Sequence, residues 1–236
     1  MYQEKYLWTI LINLCKIGNG WKYALNKRII SLLSDGFDSP VASYLMIKMG
    51  FTPIFVSFIT TSKLEMEMMR KIKKIVKKLS DYTNDQLKLF IIPHTSNLEI
   101  FKIKCPRKLT CILCKRLMFR IAFKVAKMEG TNLILTGDIL GEQASQTLSN
   151  LYSYNEIFTN FIKLSPLIGL NKQQIINLNK KIGLYDISSY KIQSCQYFPQ
   201  YPETNAKEKE IENTEKLLNL SQLISNSLEN VKILKF

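Results

Sequence analysis

The feature that most constrains this chain is an alternation. Short apolar runs recur at 28–34, 52–59, 88–94, 132–137 and 161–167, and amphipathic stretches at 40–49, 63–80, 114–129 and 172–182 fall among them. Buried runs separated by helical patterns predict an α/β fold: a doubly wound parallel sheet with helices on both faces. A chain of 236 residues that is 46% hydrophobic can bury one sizeable core. The pattern divides into an N-terminal helical segment at 1–27, a main domain at 28–206 and a C-terminal helix at 207–236. Ligands of such sheets bind at the carboxyl ends of the strands. Three polar segments close strands there and are expected to share one rim: Ser34–Ser39, Thr136-Gly137-Asp138, and the "SPLIG" of 165–169.

The first of these, "LLSDGFDSPVASYL", is a polar turn between a strand and a helix, which gathers backbone N–H groups suited to a phosphate. It lacks the lysine of a GxxxxGK[ST] loop and has a single glycine, so it is not a Walker P-loop. Gly36 is expected to adopt a φ that other residues avoid, and the Ser34 and Ser39 hydroxyls to donate to phosphate oxygens. Asp38 repels a bare phosphate. It fits if Mg²⁺ bridges it to the phosphates, or if it caps the helix.

Charge adds a partner class. The 33 Lys and Arg against 19 Asp and Glu leave a formal +14, which suits a polyanion, although a chain crowded with Lys, Ile and Asn is also what coding bias produces. Lys102, Lys104, Arg107, Lys108, Lys115 and Arg116, interleaved with Phe101 and Phe119, form the densest basic cluster, where an RNA backbone is expected to run. The apolar run near the N-terminus is too short to cross a bilayer and has no export-signal pattern. The expectation is a cytoplasmic protein with reduced cysteines. From Asn205 onward the pattern reads as a charged helix with Leu217, Leu220, Ile224, Leu228 and Val231 on one stripe, fit for packing or for a homodimer.

Cys111 and Cys114 form a C-x-x-C at a helix start, Cys105 lies just upstream, and Cys195 is far downstream. From spacing alone this is a redox pair, half a zinc site or buried thiols. The helix dipole with Arg107, Lys115 and Arg116 is expected to lower the thiol pKa values. Cys15 reads as core. The sole histidine, His94, has no nucleophile or metal-ligand spacing beside it. Gln143, Ser145, Gln146 and Thr147 are uncharged hydrogen-bonding groups beside Asp138, suited to ribose, phosphate or a uracil edge, and Lys172 stands at the first turn of a helix on the ligand rim.

These residues carry a resemblance. "SDGFDSPVASYL" resembles the pyrophosphate loop of ATP pyrophosphatases, which adenylate an oxygen and release pyrophosphate. With the blocks at 114–151, 165–188 and 195–206, of which "TGDILGEQASQTLSNL" is the most specific, residues 28–206 are similar to the catalytic domain of the tRNA 4-thiouridine synthase, or ThiI sulfurtransferase, family. The resemblance implies an adenine nucleotide alpha hydrolase-like, Rossmann-like fold. It implies ATP held by Ser34, Asp35, Gly36, Phe37, Asp38, Ser39, Thr136, Gly137, Asp138, Gln143 and Gln146, with Mg²⁺ at Asp38 and Lys172 stabilising charge at the α-phosphate. Cys111, Cys114 and Cys195 match the iron–sulfur ligands of members without a rhodanese domain, whereas in rhodanese-bearing members the later cysteine resolves a persulfide. The implied reaction makes 4-thiouridine at position 8 of tRNA, with sulfide or a persulfide-carrying protein as sulfur donor. Residues 1–27 leave no room for the family's THUMP region, so a separate THUMP-type protein is expected to grip the tRNA. Asp35, Asp138, Glu142, Ser165 and Asn171 depart from the usual Gly, Glu, Gln, Arg and Asp. A related thiolase with another acceptor, or a non-catalytic nucleotide- or RNA-binding remnant, are the competing readings.

Overall fold

The computed structural model describes residues 27–61, 64–192 and 195–236. The expected N-terminal helix and Cys15 fall outside these residues. Six strands form one sheet: β1 Arg28–Leu32, β2 Thr52–Ile59, β3 Lys88–Pro93, β4 Leu133–Leu135, β5 Ile162–Leu164 and β6 Lys232–Lys235. Their order is β5-β4-β1-β2-β3-β6. The first five pair in parallel, with Ile30 opposite both Ile54 and Ile134. The chain runs outward from β1 to β3, then returns to the other side of β1 for β4 and β5. That reversal opens a crevice between the loops after β1 and β4.

The helices are α1 Asp38–Lys48, α2 Glu65–Ser80, α3 Thr95–Lys104, α4 Thr110–Met128, α5 Leu148–Tyr152, α6 Lys172–Lys181, α7 Tyr185–Ser189, α8 Glu208–Glu215 and α9 Leu220–Glu229. The period-2 alternation of the strands divides the core between the two faces. Ile29, Phe55, Leu89 and Ile91 pack under α1, α2 and α6, through Val41, Ile72, Ile75 and Ile175. Ile30, Val56, Phe90 and Ile92 face α3, α4, α8 and α9, through Phe101, Phe119, Ile211 and Leu223.

The C-terminal region corrects the expectation of one helix. The chain breaks between α8 and α9, where the Asn219 side chain accepts from the backbone N–H of Gln222 at 3.1 Å and starts a new helix. Leu220, Ile224, Leu228 and Val231 do pack on the core, but Leu217 is 58% exposed. The last residues pair antiparallel to β3, Leu234 opposite Leu89, and cover an edge that would otherwise present unpaired backbone groups. The sheet is thus mostly parallel with one antiparallel edge.

Candidate functional site

The loop after β1 is held together by its own serines. The Ser39 hydroxyl accepts from the Ser34 backbone N–H at 2.8 Å and lies 3.0 Å from the Ser34 hydroxyl. Ser43 donates to the Ser39 carbonyl at 2.8 Å and receives from Ser31 at 2.8 Å, which pins α1 to β1. Gly36 is not among the glycines at positive φ, and a Cβ there would meet only the Ser34 hydroxyl at 3.5 Å. The expected reason for this glycine is therefore wrong. Close approach acts instead at Gly137, where a Cβ would fall 2.6 Å from the Ser39 nitrogen and 2.8 Å from its Cα. The loop after β4 thus lies directly against the start of α1.

Asp38 does not cap α1, whose N-cap is Phe37 with no side-chain cap. Its carboxylate accepts from Lys172 Nζ at 2.8 and 3.1 Å. Burial raises the Asp38 pKa, and Lys172 opposes that rise. Lys172 also lies 3.6 Å from Glu142. It opens α6, where Asn171 and Gln174 form a capping box with bonds of 2.9 and 3.0 Å. Asn171 therefore has a structural task at the position where a carboxylate was expected. Asp35 pairs at 3.1 Å with Lys71, a 6% exposed lysine that also donates to the carbonyls of Ser188 and Tyr190.

Asp138 is 3% exposed and bound on several sides. Lys115 reaches it at 2.6 Å, Lys163 at 2.9 Å and the Thr136 hydroxyl at 3.0 Å. Burial pushes its carboxyl upward, but the two lysines overcome that and hold it well below the usual range. Both ammonium groups also lie over the rings of Phe119 and Tyr154. Ser165 completes the chain with a hydroxyl contact of 2.9 Å to Thr136. Lys163 was missed in the sequence, where its one signal was a lysine inside an otherwise apolar strand on the ligand rim.

The sulfur side faces the same space. A cleft of about 340 Å³ is lined by Ser34, Asp38, Ser39, Thr136, Gly137 and Asp138 on one side and by Cys111, Cys114 and Cys195 on the other, with Gln143, Gln146, Tyr197 and Phe198 at its walls. Gln146 is buried, and its Oε1 has no hydrogen-bond partner. Cys105 packs in the core instead. Among the described residues, no three His, Cys, Asp or Glu side chains are placed to hold a metal ion. The expected lowering of the thiol pKa values is reversed. Burial, reinforced by the neighbouring Cys195, pushes Cys111 up to about 11 and Cys114 well above its ordinary value. Arg107 still lowers Cys111 and Lys115 still lowers Cys114, but burial outweighs both, and two of the expected cations have other partners. Lys115 is bound to Asp138, and Arg116, 1% exposed, is bound to Glu215, Glu156 and the Ser153 carbonyl.

The same pairing thins the expected RNA-binding cluster. Arg116 and Lys115 are interior, and Lys108 pairs with Glu203 at 3.0 Å and Glu210 at 2.9 Å. Lys102, Lys104 and Arg107 remain at the surface. His94, set aside in the sequence, lies fully buried behind the sulfurs with its Nε2 3.4 Å from Cys114 Sγ. Burial lowers its pKa to about 3.

The family model described as ThiI, thiamine biosynthesis protein, matches residues 25–220. The chain belongs to the ThiI family. Its relatives include a "Probable tRNA sulfurtransferase" of Methanosarcina mazei, 38% identical over 88% of this chain and 51% of the relative. Another, of the same description, from Methanocaldococcus jannaschii, is 40% identical over 78% and 48%. This ThiI-family chain therefore spans about half the length of the curated relatives it matches. A crystal structure of a 4-thiouridine synthetase–RNA complex with bound ATP superposes with a TM-score of 0.82 at 32% identity, covering 89% of this chain and 55% of that one. The NMN synthetase of Francisella tularensis, at 17% identity and a TM-score of 0.53, shares the fold. Among the described residues, no helix is long and apolar enough to cross a membrane.

Proposed function

We propose that this chain is the catalytic part of an ATP-dependent tRNA sulfurtransferase that makes 4-thiouridine at position 8. The observation that carries the reading is the single cleft whose one wall is the loop pair at Ser34–Ser39 and Thr136–Asp138 and whose other wall is Cys111, Cys114 and Cys195. A carbonyl oxygen is a poor leaving group, so it must first be activated. The uridine oxygen attacks the α-phosphate of ATP and pyrophosphate leaves. Sulfur then attacks the activated carbon, AMP departs with the oxygen, and a thiocarbonyl remains.

The backbone N–H groups at the start of α1, left without a side-chain cap, face phosphate oxygens together with the Ser34 and Ser39 hydroxyls. Gly137 allows the second loop to close on them. Asp38 would hold Mg²⁺, which neutralises phosphate charge when bound, and Lys172 moves from Asp38 to the α-phosphate as charge develops there. The orphaned Gln146 Oε1 suits an N–H of a nucleobase. Gln143 lines the same wall.

Cys111, Cys114 and Cys195, the three thiols that line the cleft, are the residues that would hold an iron–sulfur cluster. Such a cluster would supply a place for sulfide. Burial holds the protons of Cys111 and Cys114, so loading a metal at these thiols would release them. The donor of sulfur is sulfide or a persulfide-carrying protein, and a THUMP-type region, in this protein or a partner, supplies the grip on tRNA.

The test is anaerobic incubation of the purified protein with tRNA, ATP, Mg²⁺ and sulfide, followed by nucleoside analysis. Appearance of 4-thiouridine is expected. Pyrophosphate release with a different thiolated nucleoside would point to another acceptor, and no ATP turnover at all would leave a binding remnant.

A further inference from the structure

His94 is the one histidine of the chain and takes no part in the reading above. Its Nε2 lies 3.4 Å from Cys114 Sγ and its Nδ1 3.1 Å from Asn97 Nδ2. Asn97 Nδ2 also donates to the Ser227 hydroxyl at 2.9 Å, and Ser227 gives its own proton to the Leu223 carbonyl at 2.7 Å, one turn back on α9. These bonds set a direction. Because the Ser227 proton is committed to a backbone acceptor, its oxygen must receive from Asn97. The Asn97 amide therefore presents N–H to both of its neighbours. His94 Nδ1 then accepts, which leaves the ring proton on Nε2, aimed at the sulfur.

We propose that His94, held as the Nε2–H tautomer by Asn97 and Ser227, is a positioning residue that donates a hydrogen bond to the sulfur of Cys114. An N–H donor stabilises electron density on sulfur, so it favours a thiolate, a perthiolate or a cluster-bound thiolate over a neutral thiol. The inference deepens the proposed function and rests on its placing sulfur chemistry at Cys114. It also gives the C-terminal helices a part in that chemistry. Although α9 contributes no residue to the cleft, Ser227 orients the amide that orients the ring behind the sulfur.

A single histidine makes the tautomer directly readable. Nitrogen NMR of ¹⁵N-histidine-labelled, untagged protein should show a neutral ring protonated at Nε2. Ser227→Ala lets the Asn97 carbonyl turn to Nδ1, and should bring in the Nδ1–H form. Dominance of Nδ1–H in the wild type overturns the proposal, as does a tautomer unmoved by both Ser227→Ala and Asn97→Leu. For the sulfur, alkylation of Cys114 in metal-free protein, followed by peptide mass, should slow by about tenfold in His94→Leu, the worth of one hydrogen bond to a charged group. It should recover in His94→Gln, which keeps an N–H donor. Equal rates in the two variants overturn the donor role. If either variant fails to fold, the wild-type spectrum still decides. None of these readouts requires thiolation, so a protein that shows the Nε2–H ring but makes no thiouridine faults the proposed function and not the tautomer.

Discussion

At the scale of single residues, the site is a set of charges answered by unexpected partners. Asp38 and Lys172, each proposed to meet the triphosphate, answer one another at 2.8 Å. Neither needs the other for the fold. With Lys172 36% exposed, the pair is worth about 0–1 kcal/mol. Asp38→Ala should therefore abolish pyrophosphate release while shifting the melting temperature little, and full turnover in that variant would remove Asp38 from the chemistry. The two glycines separate in the opposite way to their sequence reading. Gly137→Ala drives a methyl into the Ser39 backbone, which cannot swing aside as a side chain can, and should cost about 1–3 kcal/mol together with ATP binding. Gly36→Ala has room and should leave stability nearly unchanged in the same thermal melt. Asp35 ties the loop to Lys71, and Lys71 in turn holds the backbone at Ser188 and Tyr190.

At the scale of elements, α4 joins two tasks. Its first turns carry Cys111 and Cys114 to the cleft, while Arg116 and Arg120 bind Glu215 of α8 on the far side. Glu215→Ala leaves Arg116 buried with one of its carboxylates gone, a loss of about 3 kcal/mol. The pair also predicts an acid limit. Burial alone would raise the Glu215 carboxyl, but Arg116 and Arg120 hold it below its ordinary 4.5. A depressed folded pKa stabilises above the unfolded value, and that contribution is lost as pH falls through the lower folded one. Urea midpoints measured from neutral pH downward should thus fall below about pH 4.5 in the wild type and fall less steeply in Glu215→Ala. A parallel pH dependence in both would show that the acid transition belongs to other groups.

At the scale of the molecule, the sheet brings the loops at Ser34–Ser39 and Thr136–Asp138 and three thiols to one end, while the basic cluster beside those thiols keeps only part of its charge free at the surface. Within that cluster Lys108, Lys115 and Arg116 are bound to carboxylates, which leaves Lys104, Arg107 and Lys102, itself 3.9 Å from Glu99, to meet tRNA there. Binding by this chain should be weak, with a slope of log affinity against log salt of about −2 to −4, and a steep slope near −8 would mean a second basic surface. Protein purified anaerobically should carry iron. Alanine at Cys111, Cys114 or Cys195 should remove it, whereas Cys105→Ala, altering a core residue outside the cleft, should keep it. Iron-free protein that accumulates persulfide would instead favour the persulfide route of the rhodanese-bearing members.

Local pattern alone was enough to mark the strand, turn and helix around Ser34–Ser39 and to put Thr136–Asp138 and Lys172 on the same rim. Strand periodicity and the preference for ligands at carboxyl strand ends are properties of short segments and of parallel sheets in general. The grouping of Cys111, Cys114 and Cys195 came from the family resemblance and not from local pattern, which left the C-x-x-C open to several readings. Partner choice was not local. Arg116 beside the C-x-x-C looked like a cation for the thiols, yet it turns to a glutamate 99 residues away. The edge strand at Lys232–Lys235 forms because β3 needs a partner, and the thiol pKa values rise because packing removes water from Cys111 and Cys114. His94 carried no signal because the meaning of its ring depends on Asn97, Ser227 and Cys114 arriving from three helices. Desolvation and ion pairing are decided by what a side chain meets when distant segments close over it, and only the tertiary structure makes that meeting.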